Sequence, residues 1–513
     1  MKIDRRKLLA ALAGTAALPV LGSRARSTPD PVGAASPARL AQDPRRPQYH
    51  LLPPRNWMND PNGPIYWNGQ HHMFYQYNPD GAYWGNMHWG HAVSPDMVHW
   101  RHLPVALAPT PGSPDEDGCF TGTAIVQNGR VTILYTGVRA ASPGDATNQD
   151  SAPPLRETQC LAVARDAGLI SWEKAVAPVI DAPPPGMEVN GFRDPSPWRQ
   201  GEWWYTVLGS GIAGDGGAVL LYRSRDLRHW EYMHILAHRE HDAAFDPRET
   251  WECPEFFPLG DRHILIYSAG GKARWQAGRL DTEAMVFHAE QAGILDYGCY
   301  YASKSQLDKH GNRILWGWLT EARPLEEYKA AGWAGMMSLP RVLSLAANGC
   351  LRFRVAEEAN QLRNRAQILN LNADEDQNLH QLQSMRIEGC CGEVLCVARR
   401  STDPYALSLH GSSQNLTPWL KLSYDPLHPG QIWIDDRPLP IDFNAEENLV
   451  LHLYVDGSVI EAFVNHQVAC TRRFYLKDDT PLDLCMKWTG RTANLVSISA
   501  WQLSPISTNR LTT

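Results

Sequence analysis

A chain of 513 residues exceeds what one ordinary core organises, so it calls for two domains or a repeat-built domain with a smaller companion. Only 20% of the residues are charged, the net charge is −7 and no basic run occurs, which argues against a nucleic-acid surface. The 19 Trp and 18 Tyr supply large flat rings that serve as core or as stacking faces for sugars.

The first 25 residues, MKIDRRKLLAALAGTAALPVLGSRA, open basic with Arg5-Arg6, run apolar from Leu8 to Leu21 and end in small residues suited to cleavage after Ala25. The paired arginines resemble a twin-arginine export signal, and the apolar run is shorter than the roughly 20 residues a membrane span needs. Export to the periplasm or the outside of the cell is expected, with no membrane attachment after cleavage. Residues 26–47, rich in Pro, Ala, Ser and Arg, are expected as a disordered leader. The ten cysteines all lie beyond the cleavage point, none in a CxxC pair and none at metal-ligand spacing. Mostly buried free thiols and no metal site follow as expectations.

From residue 48 a unit recurs: a polar motif, a β-rich run, a turn signal and a second β-rich run. Five copies centre on Asn68-Gly69, Asn128-Gly129, Gln200-Gly201, Gly260-Asp261 and Gly311-Asn312, spaced by 60, 72, 60 and 51 residues. Gly and Asn tolerate the positive φ that tight hairpins require, so each signal marks a β-hairpin. An echo follows three of them: SPDMVHW with Asp96 and Trp100, RDAGLISW with Asp166 and Trp172, SRDLRHW with Asp226 and Trp230. A fainter version runs from Asp281 to Phe287. Units of this size, each with about four short strands, are blade-sized, and closing five into a ring hides most strand edges. The expected fold is all-β: a five-bladed β-propeller over 48–345, a linker over 346–370 that contains the short helical connector AEEANQLRN (356–364), and an antiparallel β-sandwich over 371–513.

The repeat supplies a register, and the register isolates candidate acids. Asp60 lies eight residues before Asn68, Glu252 eight before Gly260 and Asp194 six before Gln200. Innermost propeller strands line the central channel, so these acids converge at one mouth. Each has a bland reading: Asn59-Asp60-Pro61-Asn62-Gly63 is turn-forming composition, Arg193-Asp194 could be a surface pair, and Glu252 could be a solvated strand residue. The shared register favours chemistry for all three together. Two carboxyls facing one cleft, with a third acid beside an arginine, suit glycosidic bond cleavage. Burial beside Trp251 and proximity to a negative Asp60 would keep Glu252 protonated as the acid, and turn amides would keep Asp60 ionised.

WMNDPNG (57–63), FRDP (192–195) and WECP (251–254), in this order, resemble the signature motifs of the β-fructosidases of glycoside hydrolase family 32. YQYNP (75–79), WGNMHWGHAVSPDMVHW (84–100), YYASK (300–304), ILWGW (314–318) and GWAGMMSLPR (332–341) are similar too, and DGSVIEAFVN (456–465) matches the family's C-terminal sandwich. The resemblance implies a propeller followed by a sandwich and a retaining mechanism through a covalent fructosyl-enzyme, without cofactor or metal. It makes Asp60 the nucleophile, Glu252 the acid then base, and Asp194, positioned by Arg193, the residue that binds fructose hydroxyls. Retention requires the Asp60 and Glu252 carboxyls about 5 to 5.5 Å apart. It also places Asn59, Gln76, Trp84, Phe120 and Thr121 around a terminal fructose, with Trp57 as a stacking wall. The substrates implied are sucrose and fructo-oligosaccharides; a preference for levan or inulin, a fructosyltransferase and a fructan-binding propeller without activity remain as alternatives. Two departures stand out: Phe120-Thr121-Gly122-Thr123 replaces the family's Phe-Ser-Gly-Ser, and Glu255 stands where plant-type relatives commonly carry Asp. The longer Glu255 is expected to alter the region next to the leaving group.

Overall fold

The computed structural model describes residues 35–513 except 143, 240–245, 372, 412–417, 444–447 and 476–482, so the expected export signal lies outside the described residues. Among the described residues the strands form seven sheets. Five are the blades, at 56–107, 118–174, 189–238, 252–294 and 300–355, each built on four antiparallel strands in chain order. The ring is closed by Trp333–Ala334, which leaves blade 5 to pair in parallel with the innermost strand of blade 1, Asn56–Trp67. The last two sheets, of six strands each, form the sandwich around a core that includes Val394, Leu407, Leu453 and Trp488.

The hairpin signals act as expected. Asn68 and Gly69 take φ of 53° and 80°, Asn128 and Gly129 take 50° and 74°, and in each blade the strands flanking the signal pair directly across it. The echo also has a structural meaning. Asp96 accepts hydrogen bonds from the Val98 and His99 amides, Met97 is held at φ 64°, and the Trp100 indole donates to the Met97 carbonyl at 3.1 Å. Asp226, Leu227 and Trp230 repeat this in blade 3, and Asp166, Leu169 and Trp172 in blade 2. Each time the aspartate satisfies turn amides while the strained apolar residue is driven into the core between blades.

Two expected segments differ. Residues 35–47 are not a disordered leader: Ser36 caps a helix over Pro37–Gln42, Leu40 is buried, and Asp43 accepts from the Trp333 indole at 2.8 Å. The apolar Ala35 and Leu40 gain a core that composition alone did not reveal. The chain's other end meets this segment, with Arg510 donating to the Ala41 carbonyl and Arg46 donating to the Arg510 carbonyl. Nor is 346–370 a linker. Leu351–Val355 is the outer strand of blade 5, Arg363–Ile368 already belongs to the sandwich, and only a 3-10 turn over Glu357–Leu362 connects them. Among the described residues no disulfide forms, and seven of the ten cysteines are buried.

Candidate active site

Every innermost strand carries a one-residue bulge at the same depth of the channel. The register slips between Met58 and Pro61, Cys119 and Gly122, Arg193 and Ser196, Glu252 and Glu255, and Tyr301 and Lys304. A bulge sets two residues against one and re-aims their side chains, which is how strands direct groups into a site. Asp194, Cys253 and Ala302, first residues of their bulges, take φ of 64°, 50° and 52°.

The acids occupy three different places in this scheme. Asp60 is the second bulged residue of blade 1, Asp194 the first of blade 3, and Glu252 the last paired residue before the bulge of blade 4, opposite Ser268. Their shared hairpin register is therefore only half the story. Blade 1 holds another bulge between Asn62 and Ile65, which offsets the count. Three positions give three side-chain directions, and the acids converge from different angles.

Asp60 gathers donors. Asn59 Nδ2 reaches Oδ1 at 3.0 Å, and the Thr121 hydroxyl and Cys253 thiol reach Oδ2 at 2.9 and 3.5 Å. Glu252, 8% exposed, accepts from the Tyr301 hydroxyl at 2.6 Å and faces Arg193 Nη2 at 3.3 Å. Asp194, 3% exposed, accepts from the Cys253 amide at 2.7 Å, while its own amide donates to Thr136 Oγ1. Burial raises the Asp194 carboxyl to about 7; Arg193 and Lys304 pull it back, Asp60 pushes it further up, and the Cys253 amide lowers it. Arg193 bridges Glu157 and Glu252. Burial works against its charge, and the charges of Glu157, Glu252 and Asp194 overcome this and hold it above its ordinary value.

The pocket residues expected from the motifs gather around Asp60. The Trp57 indole donates to Asn59 Oδ1 at 2.7 Å, so it orients the amide that in turn reaches Asp60. As a stacking wall Trp57 is poorly placed. It is 2% exposed and packs against Trp318 and Tyr328. Half-buried Trp84 meets half-buried Phe120 edge-on at 5.9 Å and offers ring surface instead. Gln76 Nε2 donates to the Cys119 carbonyl at 3.0 Å, tying blade 1 to blade 2. The extra methyl of Thr121 is accommodated, with its hydroxyl still on Asp60. Glu255 does not face outward towards a leaving group. It stands past the bulge, 3% exposed, taken up by Ser196, Ser305 and Lys304.

Sequence reading missed Tyr301, Glu157, Thr136 and Lys304. Glu157 and Thr136 come from the middle strands of blade 2, beyond the Asn128-Gly129 turn, whereas the acids were counted back from the turns along the innermost strands. Tyr301 and Lys304 lie within the quoted YYASK, where the fifth hairpin copy would have aligned them.

A ring of β-blades whose channel mouth gathers a carboxyl with three donors, a second carboxyl bonded to a phenol and a third acid beside an arginine is the equipment of a sugar-cleaving hydrolase. Comparison with known proteins makes that specific. Residues 50–354 match the glycosyl hydrolases family 32 N-terminal domain and 392–502 the family 32 C-terminal domain, so the chain belongs to glycoside hydrolase family 32. It is 35% identical over 486 residues to the sucrose-6-phosphate hydrolase of Escherichia coli, covering 89% of this chain and 94% of that one. The GH32 β-fructofuranosidase of Bombyx mori superposes with a TM-score of 0.75 at 28% identity over 91% of this chain and 96% of that one, and has also been solved with sucrose. Fructan 1-exohydrolase IIa of Cichorium intybus, solved also with 1-kestose, gives 0.71 at 26% identity over 90% and 98%. The protein is a fructofuranosidase-type glycoside hydrolase.

Proposed function

We propose that the enzyme releases terminal non-reducing β-D-fructofuranosyl units from sucrose and short fructans with retention of configuration. The observation that carries this is the unequal treatment of the two facing carboxyls. Three donors converge on Asp60, the pattern an attacking carboxylate needs, whereas Glu252 bonds the Tyr301 phenol and has to share its arginine with Glu157. Asp60 attacks the anomeric C2 as the C2–O bond breaks, and the Glu252 proton goes to the departing sugar oxygen. Water then gives a proton back to Glu252 and its oxygen to C2, freeing Asp60. Asp194 accepts from fructose hydroxyls, its negative charge counting for most as C2 becomes cationic.

Turnover of sucrose in the presence of methanol tests the stereochemistry: methyl β-D-fructofuranoside is expected, and the α-anomer would sink the covalent route. Initial rates on sucrose, 1-kestose, inulin and levan, with sucrose 6-phosphate added because of the name of the Escherichia coli relative, settle the leaving group. Faster release from the polymers would replace the sucrose reading with an exo-fructanase, as the likeness to the chicory enzyme invites. Free glucose exceeding free fructose at high sucrose would mark a transferase. The residues around Arg5-Arg6 support export, and an N-terminus just after Ala25 in protein recovered from outside the cytoplasm is the outcome that checks it.

A further inference from the structure

Immediately below the bulges, the five inner strands present Pro61, Gly122, Ser196, Glu255 and Lys304 on one rung. Gly122 is obligatory there, because a Cβ would lie 2.2 Å from the Leu134 carbonyl oxygen. Lys304 has no exposed surface. Its ammonium sits 3.2 Å from Glu255 Oε1, 3.3 Å from the Pro254 carbonyl and 3.4 Å from Thr123 Oγ1, using all three donors. Glu255 is anchored from behind by the Ser196 hydroxyl at 2.9 Å and by the Ser305 amide and hydroxyl at 3.1 and 2.7 Å. Burying two charges is expensive, and a hydrophobic pair would fill the space at no loss of stability. The pair therefore calls for a role beyond packing.

We infer that Lys304 and Glu255 form an oriented dipole under the catalytic floor, with the ammonium end towards the acids, and that Lys304 is a positioning residue that keeps Asp194 ionisable. The placement is geometric: Lys304 Nζ bonds the Pro254 carbonyl, and one residue earlier on the same strand the Cys253 amide donates to Asp194 Oδ2, so the ammonium stands against the floor beneath that acid. In keeping with this, Lys304 opposes the rise of the Asp194 carboxyl, second only to Arg193, and acts on the Cys253 thiol in the same sense. Glu255, held by its serines, fixes where that positive charge stands. The inference assumes the role given above to Asp194, and its test does not require turnover.

The experiment is an infrared pH titration of the Asp194 carboxyl band, identified by its absence in Asp194→Asn. In Lys304→Met the midpoint should move up by about one pH unit, since an opposite charge nearby is worth roughly 1 to 3 units. In Glu255→Gln the ammonium stands unopposed and the midpoint should move down. Lys304→Arg should restore the native value. The double variant Lys304→Met/Glu255→Gln buries no lone charge, so it keeps the test alive if a single variant fails to fold; its midpoint should move up, by less than in Lys304→Met. An unmoved midpoint in the double variant, or shifts of the same sign in both single variants, overturns the inference. Failure of the native enzyme to hydrolyse sucrose with these shifts intact would instead count against the proposed substrate.

Discussion

The channel mouth and the seam between propeller and sandwich both collect buried carboxylates, but they treat them differently. At the seam, Arg341 binds Asp296 at 2.9 Å and Glu461 at 2.6 Å, and His50 bridges Asp456 and Glu461 at 2.9 and 3.1 Å. Spare oxygens take backbone amides: Asp456 accepts from Gln48, Tyr49 and His50, Glu461 from Leu339, and Asp296 from Gly298 and Thr471. At the mouth, Arg193 bridges Glu157 and Glu252, while Asp60 accepts from the Thr121 hydroxyl and Asp194 from the Cys253 amide. At the seam each of the three carboxylates meets both a cation and a backbone amide, and the cluster holds two domains together. The mouth keeps surplus negative charge, which a cationic transition state can use. Where charge is matched it serves cohesion, and where it is left over it serves reaction.

The sharpest way to break this contrast is to remove one charged side chain from each side. Asp60→Asn should lower kcat by at least about 10³-fold with an unchanged melting temperature; retained activity would remove Asp60 from the reaction. Arg341→Met should do the reverse, costing about 3 to 5 kcal/mol of stability because it strands two buried carboxylates, while the folded fraction keeps its turnover. Urea unfolding read beside specific activity separates the two outcomes.

The pH dependence sharpens the comparison further. Burial opposes the His50 charge, but its bonds to Asp456 and Glu461 raise it from 6.5 to about 9. Its contribution is then fully present below pH 6.5 and lost as pH rises through 9, about 3 kcal/mol in all. Thermal melts should show this alkaline loss in the native protein and not in His50→Gln. Asp194 runs the other way for a carboxyl. Raised from 3.8 to about 7, it keeps in the folded state a proton that the unfolded chain gives up, so stability falls as pH rises from 3.8 to 7. Asp194→Asn should therefore be more stable than the native protein above pH 7, by something on the order of 2 kcal/mol, equal to it near pH 4, and far less active throughout. Melts at both pH values decide it.

Much of this was legible before any coordinates. Hairpin signals count blades because Asn68-Gly69 and Asn128-Gly129 can adopt angles few residues tolerate, and counting from them finds Asp60, Asp194 and Glu252. The bulges were not legible. A bulge is a difference in length between two paired strands, and Glu252-Cys253-Pro254-Glu255 shows it only when set against Ser268 and Ile266. For the same reason Glu255 read as facing the leaving group when it faces Lys304. Trp57 read as a wall because aromatic rings often stack on sugars, yet Trp318 and Tyr328 cover it. The segment 35–47 read as disordered because its few apolar residues find their partners some 290 positions later, at Ala331 and Trp333.

That last contact has a consequence for the route of folding. Arg510 grips Ala41 and is gripped by Arg46 across 469 and 464 positions of sequence. Leu511 packs with Leu51 and Met58, directly behind the strand that bears Asp60. The blades can stack in chain order, but the back of the first one is sealed by residues that follow the whole sandwich in the chain. Leu511→Ala should therefore loosen the catalytic strand, although no blade of the propeller is touched.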